Sequence, residues 1–99
     1  MLLVLEFDMD ADIISVPEDV IVHKDIYRRK FLTWLYSTKN KYKKRITDSN
    51  GHTFDGVCYR SDAFVEWLNI KIIKNNNENA KVVISNTNDY PDNIPKICF

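Results

Sequence analysis

The residues of this chain whose type and spacing could do chemistry are three aspartates near its start. Asp8, Asp10 and Asp12 alternate with other residues directly after the apolar run MLLVLEF. Carboxylates can act as nucleophiles, as general acids and bases, or as oxygen ligands of a divalent cation. The same side chains can also simply face water, so the elements that carry them have to be identified.

A strand that ends in the pattern DxDx resembles the nucleophile strand of haloacid-dehalogenase-type phosphohydrolases. In that fold the strand lies inside a parallel sheet, so it should be apolar on both faces. Here, if the strand continues, Glu6 and the three aspartates point to one side as an acidic stripe. The chain is also too short for a doubly wound sheet with the later motifs of such an enzyme. Both observations argue against phosphohydrolase chemistry.

Metal ligation finds little support in the same stretch. A helix-loop-helix calcium site needs glycine at its sixth position and glutamate at its twelfth. Counted from Asp8, those positions hold Ile13 and Asp19. Cys58 and Cys98 lie 40 residues apart and match no metal-knuckle spacing. We therefore expect no bound metal and two free thiols.

Other catalytic arrangements are equally weak. His23 and His52 are isolated, and a nucleophile-base pair with Cys58 requires a geometry that no spacing indicates. Gly51 and Gly56 are the two glycines of the chain, so the sequence contains no glycine-rich loop for phosphate. We predict a protein without catalytic residues and without a cofactor.

Length and composition indicate one small domain that spans residues 1–99. With 99 residues and 44% hydrophobic content, the chain can bury a single modest core. No apolar stretch approaches the roughly 18 residues of a membrane span, and the N-terminal run is too short for a signal peptide. Together with the free thiols, these features predict a cytoplasmic protein that does not engage membranes.

Apolar periodicity and turn residues predict an α+β fold. A strand with two-residue alternation begins the chain, and a polar, irregular stretch from Asp8 to Ser15 follows it. Pro17 then marks a short helical turn. The further predicted elements are a helix from residue 25 to about 38, a hairpin around Asn50-Gly51, a helix from its N-cap Ser61 to about 74, a strand at 82–84 and an irregular tail from about residue 87.

These elements follow the order βαββαβ. That order is typical of a ferredoxin-like split-βαβ sandwich, in which two helices cover one face of an antiparallel four-stranded sheet. A small mixed sheet with an added N-terminal turn is the alternative. In the hairpin, a two-residue type I′ loop at Asn50 and Gly51 pairs Ile46 with Asp55, unless a bulge at Gly56 changes the register.

Charge is balanced in total but not along the chain. Residues 1–25 hold seven acids against Lys24 alone, whereas residues 26–45 hold eight basic residues and no acid. The basic segment 28–45 supports an RNA-binding module as the alternative function, because ferredoxin-like RNA-recognition motifs stack bases on sheet aromatics. Against that function, HTFDGVCY lacks the Lys/Arg-Gly-aromatic signature, and Asp55 repels phosphate.

Several segments between residues 15 and 69 form a pattern known from other proteins: SVPEDV, the helix YRRKFLTWLY, the glycine-containing hairpin and then YRSDAFVEWLN. This pattern resembles small bacterial immunity proteins of contact-dependent growth-inhibition systems. The resemblance implies a protein that neutralises the C-terminal nuclease domain of a toxin inside the producing cell. It transfers neither the toxin's identity nor the contact residues. A phage-encoded inhibitor of a host defence protein belongs to the same class.

Carboxylates on the surface of a nuclease inhibitor can occupy the place of the substrate's phosphates, which favours rapid association. The candidate partner-binding residues are therefore the acids of the N-terminal region, namely Glu6, Asp8, Asp10, Asp12, Glu18 and Asp19. The competing interpretation is that acids collect at strand ends and helix N-termini for local reasons.

Overall fold

The computed structural model describes residues 1–37, 40–73 and 79–99. In this part of the chain the predicted α+β class is confirmed, whereas the predicted ends of the two main helices, near residues 38 and 74, lie outside it. In chain order the elements are β1 (Leu2–Glu6), β2 (Ala11–Ser15), α1 (Glu18–Val22), α2 (Lys24–Ser37), β3 (Lys43–Thr47), β4 (Thr53–Val57), α3 (Ser61–Trp67), a π-helical turn (Leu68–Ile72), β5 (Lys81–Thr87) and β6 (Lys96–Cys98).

The chain reverses directly after β1, so the predicted irregular stretch up to Ser15 is wrong. The backbone N–H of Phe7 donates to the carbonyl of Asp10 at 2.8 Å, and β2 then returns antiparallel to β1. In this register Asp12 lies opposite Leu5. Neighbouring residues of a strand face opposite sides of the sheet, so Glu6 and Asp12 lie on opposite faces. The predicted acidic stripe is therefore wrong as well.

The main sheet has four strands in the order β5-β2-β1-β6. It is mixed, because β6 runs parallel to β1 whereas the other two pairings are antiparallel. The antiparallel sheet and the ferredoxin-like order are thus wrong, since the β3–β4 hairpin forms a separate two-stranded sheet. The tail from residue 87 was expected to be irregular, but it contains β6, which buries Ile97 against the core.

Both faces of β1 and β2 are covered, which explains why these strands are apolar on both sides, whereas the edge strand β5 is largely exposed. One face, with Leu3, Leu5 and Ile14, packs against buried residues of the helices, namely Phe31, Leu35, Phe64, Trp67 and Leu68. The other face carries Val4, Ala11 and Ile13 beneath Tyr90 and Ile94 of the segment before β6. The C-terminal segment is therefore a second covering layer.

The β3–β4 hairpin is present as predicted, but its register differs by one residue. Ile46 lies opposite Phe54, in place of the predicted Asp55. The loop is longer than two residues because Asp48 shapes it: its carboxylate accepts hydrogen bonds from two backbone N–H groups of the loop, each at 2.9 Å. Gly51 adopts a φ of 82°, which glycine tolerates better than other residues.

The helices largely follow the predicted pattern. The short turn after Pro17 is α1, and the apolar stripe after Asp25 belongs to α2. Ser61 is the first residue of α3, but the N-cap is Arg60 and not the predicted Ser61, whose hydroxyl donates to Asp12. Within the ranges that the structure describes, no helix has both the length and the apolar character that a membrane crossing requires.

Candidate functional site

Arg60 lies at the centre of a polar cluster that joins three elements. Its Nη1 atom is 2.7 Å from Oδ1 of Asp10, and its Nη2 atom is 2.7 Å from Oδ1 of Asp12. The same Nη2 donates to Oδ1 of Asn86 at 3.0 Å. The β1–β2 turn and β2 supply the aspartates, the start of α3 supplies Arg60 and Ser61, and β5 supplies Asn86. We call these five residues the Arg60 network.

Asp12 is the buried member of the network, with 2% of its surface exposed. It accepts hydrogen bonds from the Ser61 hydroxyl at 2.5 Å, from the Asn86 backbone N–H at 2.9 Å and from Arg60. Burial alone raises the pKa of Asp12, but these donors outweigh burial and hold its pKa below the ordinary value. Asp12 is therefore a buried, ionised carboxylate whose charge is stabilised by donors within the protein.

Asp10 completes the network by charge more than by hydrogen bonding. Its Oδ1 is buried and, despite the short distance to Arg60, has no hydrogen-bond partner among the described residues. The bond to Asp12, and then the Asp10 carboxylate, raise the pKa of Arg60. The guanidinium also lies over the Phe7 ring, 4.5 Å from its centroid. Two of the three candidate aspartates thus hold the β1–β2 turn against α3.

An open cleft of about 620 Å³ lies beside the Arg60 network. Its floor consists of the half-buried rings of Phe7, Tyr59 and Phe99, with centroids 5.6 Å apart for Phe7 and Phe99. Asp8, Asp62 and Arg60 also line it; the two aspartates are exposed, and the Arg60 charge is paired with Asp10 and Asp12. Burial raises the pKa of the Tyr59 hydroxyl, and the Asp8 carboxylate adds to the increase. We call this site the aromatic cleft.

The six predicted partner-binding residues do not form one surface. Asp8 lines the aromatic cleft, and Asp10 and Asp12 belong to the Arg60 network. Glu18 and Asp19 begin α1, which follows the opposite end of β2. The turn at residues 7–10 and the pairing with Arg60 thus divide these acids among different parts of the molecule, and their role in binding a partner stays a prediction.

Glu6 occupies yet another place, on the sheet face that the C-terminal segment covers. It accepts a hydrogen bond from the Tyr90 hydroxyl at 2.5 Å and one from the Cys98 thiol at 3.3 Å. These two bonds are the main causes that lower the pKa of Glu6. Glu6 thus links β1 to the C-terminal segment.

Sequence reasoning missed Arg60, Asp62, Asn86 and Phe99. In the sequence, Arg60-Ser61-Asp62 indicates a helix start and belongs to the resembling segment YRSDAFVEWLN, but its ionic role depends on a contact across 48 residues. Oxygen and sulfur ligands do not converge elsewhere: no group of three or more His, Cys, Asp or Glu suited to a metal ion occurs within the described part of the chain.

Comparison with known proteins adds no relative from which a function could be transferred. No protein-family model, no curated protein and no solved structure matches this chain.

Proposed function

We propose that this protein is a non-enzymatic inhibitor that binds another protein: an immunity protein that acts in the cytoplasm against the C-terminal nuclease domain of a contact-dependent growth-inhibition toxin. The observation that supports this proposal is the aromatic cleft, which combines exposed carboxylates with an aromatic floor. A nuclease active site is rich in Lys and Arg side chains that hold phosphate. Such a side chain fits the cleft chemically.

The cleft offers two interactions to one cation. Asp8 and Asp62 supply carboxylates for charge-assisted hydrogen bonds, which are about twice as strong as neutral ones. The Tyr59 ring supplies a cation–π contact, an interaction that arginine makes more often than lysine. The Phe99 ring beside it already stacks on Phe7 and lies under the Arg28 guanidinium, 5.8 Å from its centroid. An arginine from the partner can therefore replace its interactions with phosphate by interactions with this cleft.

The floor of the cleft is rigid, which lowers the entropic cost of binding. Phe99 contacts Phe31 and Phe64 at centroid distances of 5.9 Å and 5.5 Å, and both of these partners are fully buried. The β1–β2 turn, which carries Asp8 and the 87% exposed Met9, is held by the Arg60 network. In this proposal Asp10 and Asp12 position the binding residues but do not contact the partner.

The test is the association rate with the C-terminal domain of the toxin encoded immediately upstream, measured by stopped-flow fluorescence at low salt. The double variant Asp8→Lys/Asp62→Lys should associate roughly tenfold or more slowly than the wild type, because steering by opposite charge is lost. The matched control Asp89→Lys/Asp92→Lys makes the same change in charge at exposed residues outside the cleft and should have a much smaller effect.

Two results would overturn the proposal. If the wild-type protein fails to bind that domain or to inhibit its nuclease activity, the function is wrong. If binding occurs but the cleft variant and the control variant associate equally fast, the cleft is the wrong surface.

A further inference from the structure

Two basic residues of the segment 28–45 hold contacts within the protein. Arg28 donates from Nε to the carbonyl of Cys98 at 2.8 Å, so it holds β6. Lys41 lies 3.0 Å from the carboxylate of Glu66, which also accepts a hydrogen bond from Tyr42. Neither Arg28 nor Lys41 is therefore available to a ligand without loss of an internal contact.

Three consecutive basic residues of β3 lie at a groove, and one of them, Arg45, also interacts within the protein. Lys43, Lys44 and Arg45 line a groove of about 540 Å³ between the end of α2 and the hairpin, and Tyr36 of α2 lines it too. Asn40, Gly56 and Val57 complete it, and none of the lining residues whose side chains the structure describes is acidic. Lys43 and Lys44 have no ion-pair partner among the residues that the structure describes. We call this site the basic groove.

Two exposed aromatic rings lie in or next to the basic groove. Tyr36, in its wall, is 61% exposed, and Phe54 of β4 is 52% exposed. Because Ile46 pairs with Phe54 and Lys44 with Gly56, the register places Lys44 and Phe54 on one face of the hairpin and Lys43 on the other, with Val57. Tyr36 and Phe54 are the aromatic members among the large hydrophobic side chains that the described part of the chain leaves exposed, and unpaired lysines accompany them.

We propose that the basic groove and Phe54 bind single-stranded nucleic acid. The lysines contact phosphates, and Tyr36 and Phe54 stack on bases, which is how proteins bind single strands without sequence preference. A duplex keeps its bases stacked on each other and offers no free faces to these rings. This inference is independent of the proposed inhibitor function, because it concerns different side chains of opposite charge.

The test is fluorescence anisotropy with a labelled oligouridylate of about 16 nucleotides, titrated at several salt concentrations. The wild type should bind, and the variant Lys43→Ala/Lys44→Ala should bind about tenfold more weakly at low salt. Each phosphate contact on a single strand contributes about 0.7 to the slope of log affinity against log salt. Loss of both lysines should therefore reduce the slope by about 1.4.

The matched control Lys71→Ala/Lys81→Ala removes the same charge at exposed lysines outside the groove and should leave binding nearly unchanged. Phe54→Ala should weaken binding of the oligonucleotide but not of inorganic polyphosphate, which has no bases. If the alanine variants do not fold by circular dichroism, Lys43→Gln/Lys44→Gln keeps the side-chain length and makes the same comparison.

Three results would overturn this proposal. One is the absence of oligonucleotide binding by the wild type at low salt. Another is an equal loss of affinity in the groove variant and in the control variant. The last is binding of polyphosphate or of duplex that equals the binding of the single strand, since base stacking then contributes nothing.

Discussion

The guanidinium of Arg60 and the carboxylate of Asp12 meet at 2.7 Å, although 48 residues separate them in the chain. This contact joins β2 to the start of α3, and Asn86 extends it to β5. Burial of a carboxylate without partners costs several kcal/mol, so the pairing with Arg60 stabilises the folded state. It also removes Asp12 from the set of residues that can contact a ligand.

We expect Arg60→Gln to lower the free energy of unfolding by about 1–3 kcal/mol, because it removes a charged donor from a buried carboxylate. The loss stays below that of a fully buried pair, since 40% of the Arg60 side chain is exposed. Asp12→Asn should cost a similar amount, and the double variant should cost less than the sum of the two. Urea unfolding measures all three variants, with Arg29→Gln, at an exposed position of α2, as the control. Strict additivity would show that the two residues do not interact.

The pH dependence of stability should report the same site. Because the pKa of Asp12 is lower in the folded state, its ionised form stabilises the protein above the unfolded pKa of about 3.9. That contribution is lost as the pH falls through the folded-state pKa. Glu6 and Glu66, whose pKa values are also lowered, act in the same direction.

Urea unfolding between pH 6 and pH 2 should therefore show a stability that decreases with acid. Asp12→Asn should be less stable at pH 6 but should lose less stability on acidification than the wild type does. Asp92→Asn, which changes an exposed carboxylate outside the network, should keep the wild-type profile. An unchanged profile in Asp12→Asn would contradict the assigned role of this carboxylate.

Asn86 offers a test of the backbone at the network. Its φ of 57° lies in the left-handed region, which asparagine and glycine tolerate better than alanine. Asn86→Gly and Asn86→Ala both delete the amide that contacts Arg60, but alanine alone adds backbone strain. We expect Asn86→Ala to be less stable than Asn86→Gly by about 1 kcal/mol in thermal unfolding. Equal stabilities would contradict the strained conformation.

Asn69 should hold β5 to the π-helical turn. Its amide donates to the carbonyl of Ala80 at 2.9 Å and accepts from the Ala80 N–H at 2.7 Å, next to a buried side chain. Asn69→Asp replaces the donor by an oxygen that faces this carbonyl. We expect a loss of about 1–3 kcal/mol in the free energy of unfolding, against almost none for Asn93→Asp at an exposed site. Comparable effects of both variants would show that the amide pairing is unimportant.

The sequence determined the features that depend on neighbours within one or two turns of chain. The helical spacing of Phe31 and Leu35, the β-branched run at Val82 and the turn residues near Gly51 predicted elements that the structure contains. Helical periodicity and turn chemistry act over a few residues, so a single sequence is enough to recognise them. The exact register of the hairpin was missed because the Asp48 side chain selects a longer loop.

Tertiary structure alone decided the sheet order, the strand β6 and the fate of the aspartates. Whether Asp12 faces water or is buried depends on whether Arg60 reaches it, and the pairing of Ile97 with Leu5 brings together the two ends of the chain. Many strand orders satisfy the same local preferences, and long-range packing and charge pairing select among them. For that reason the pattern DxDx at a strand end indicated a functional site in the sequence, whereas in the folded protein Asp10 and Asp12 hold the β1–β2 turn against α3.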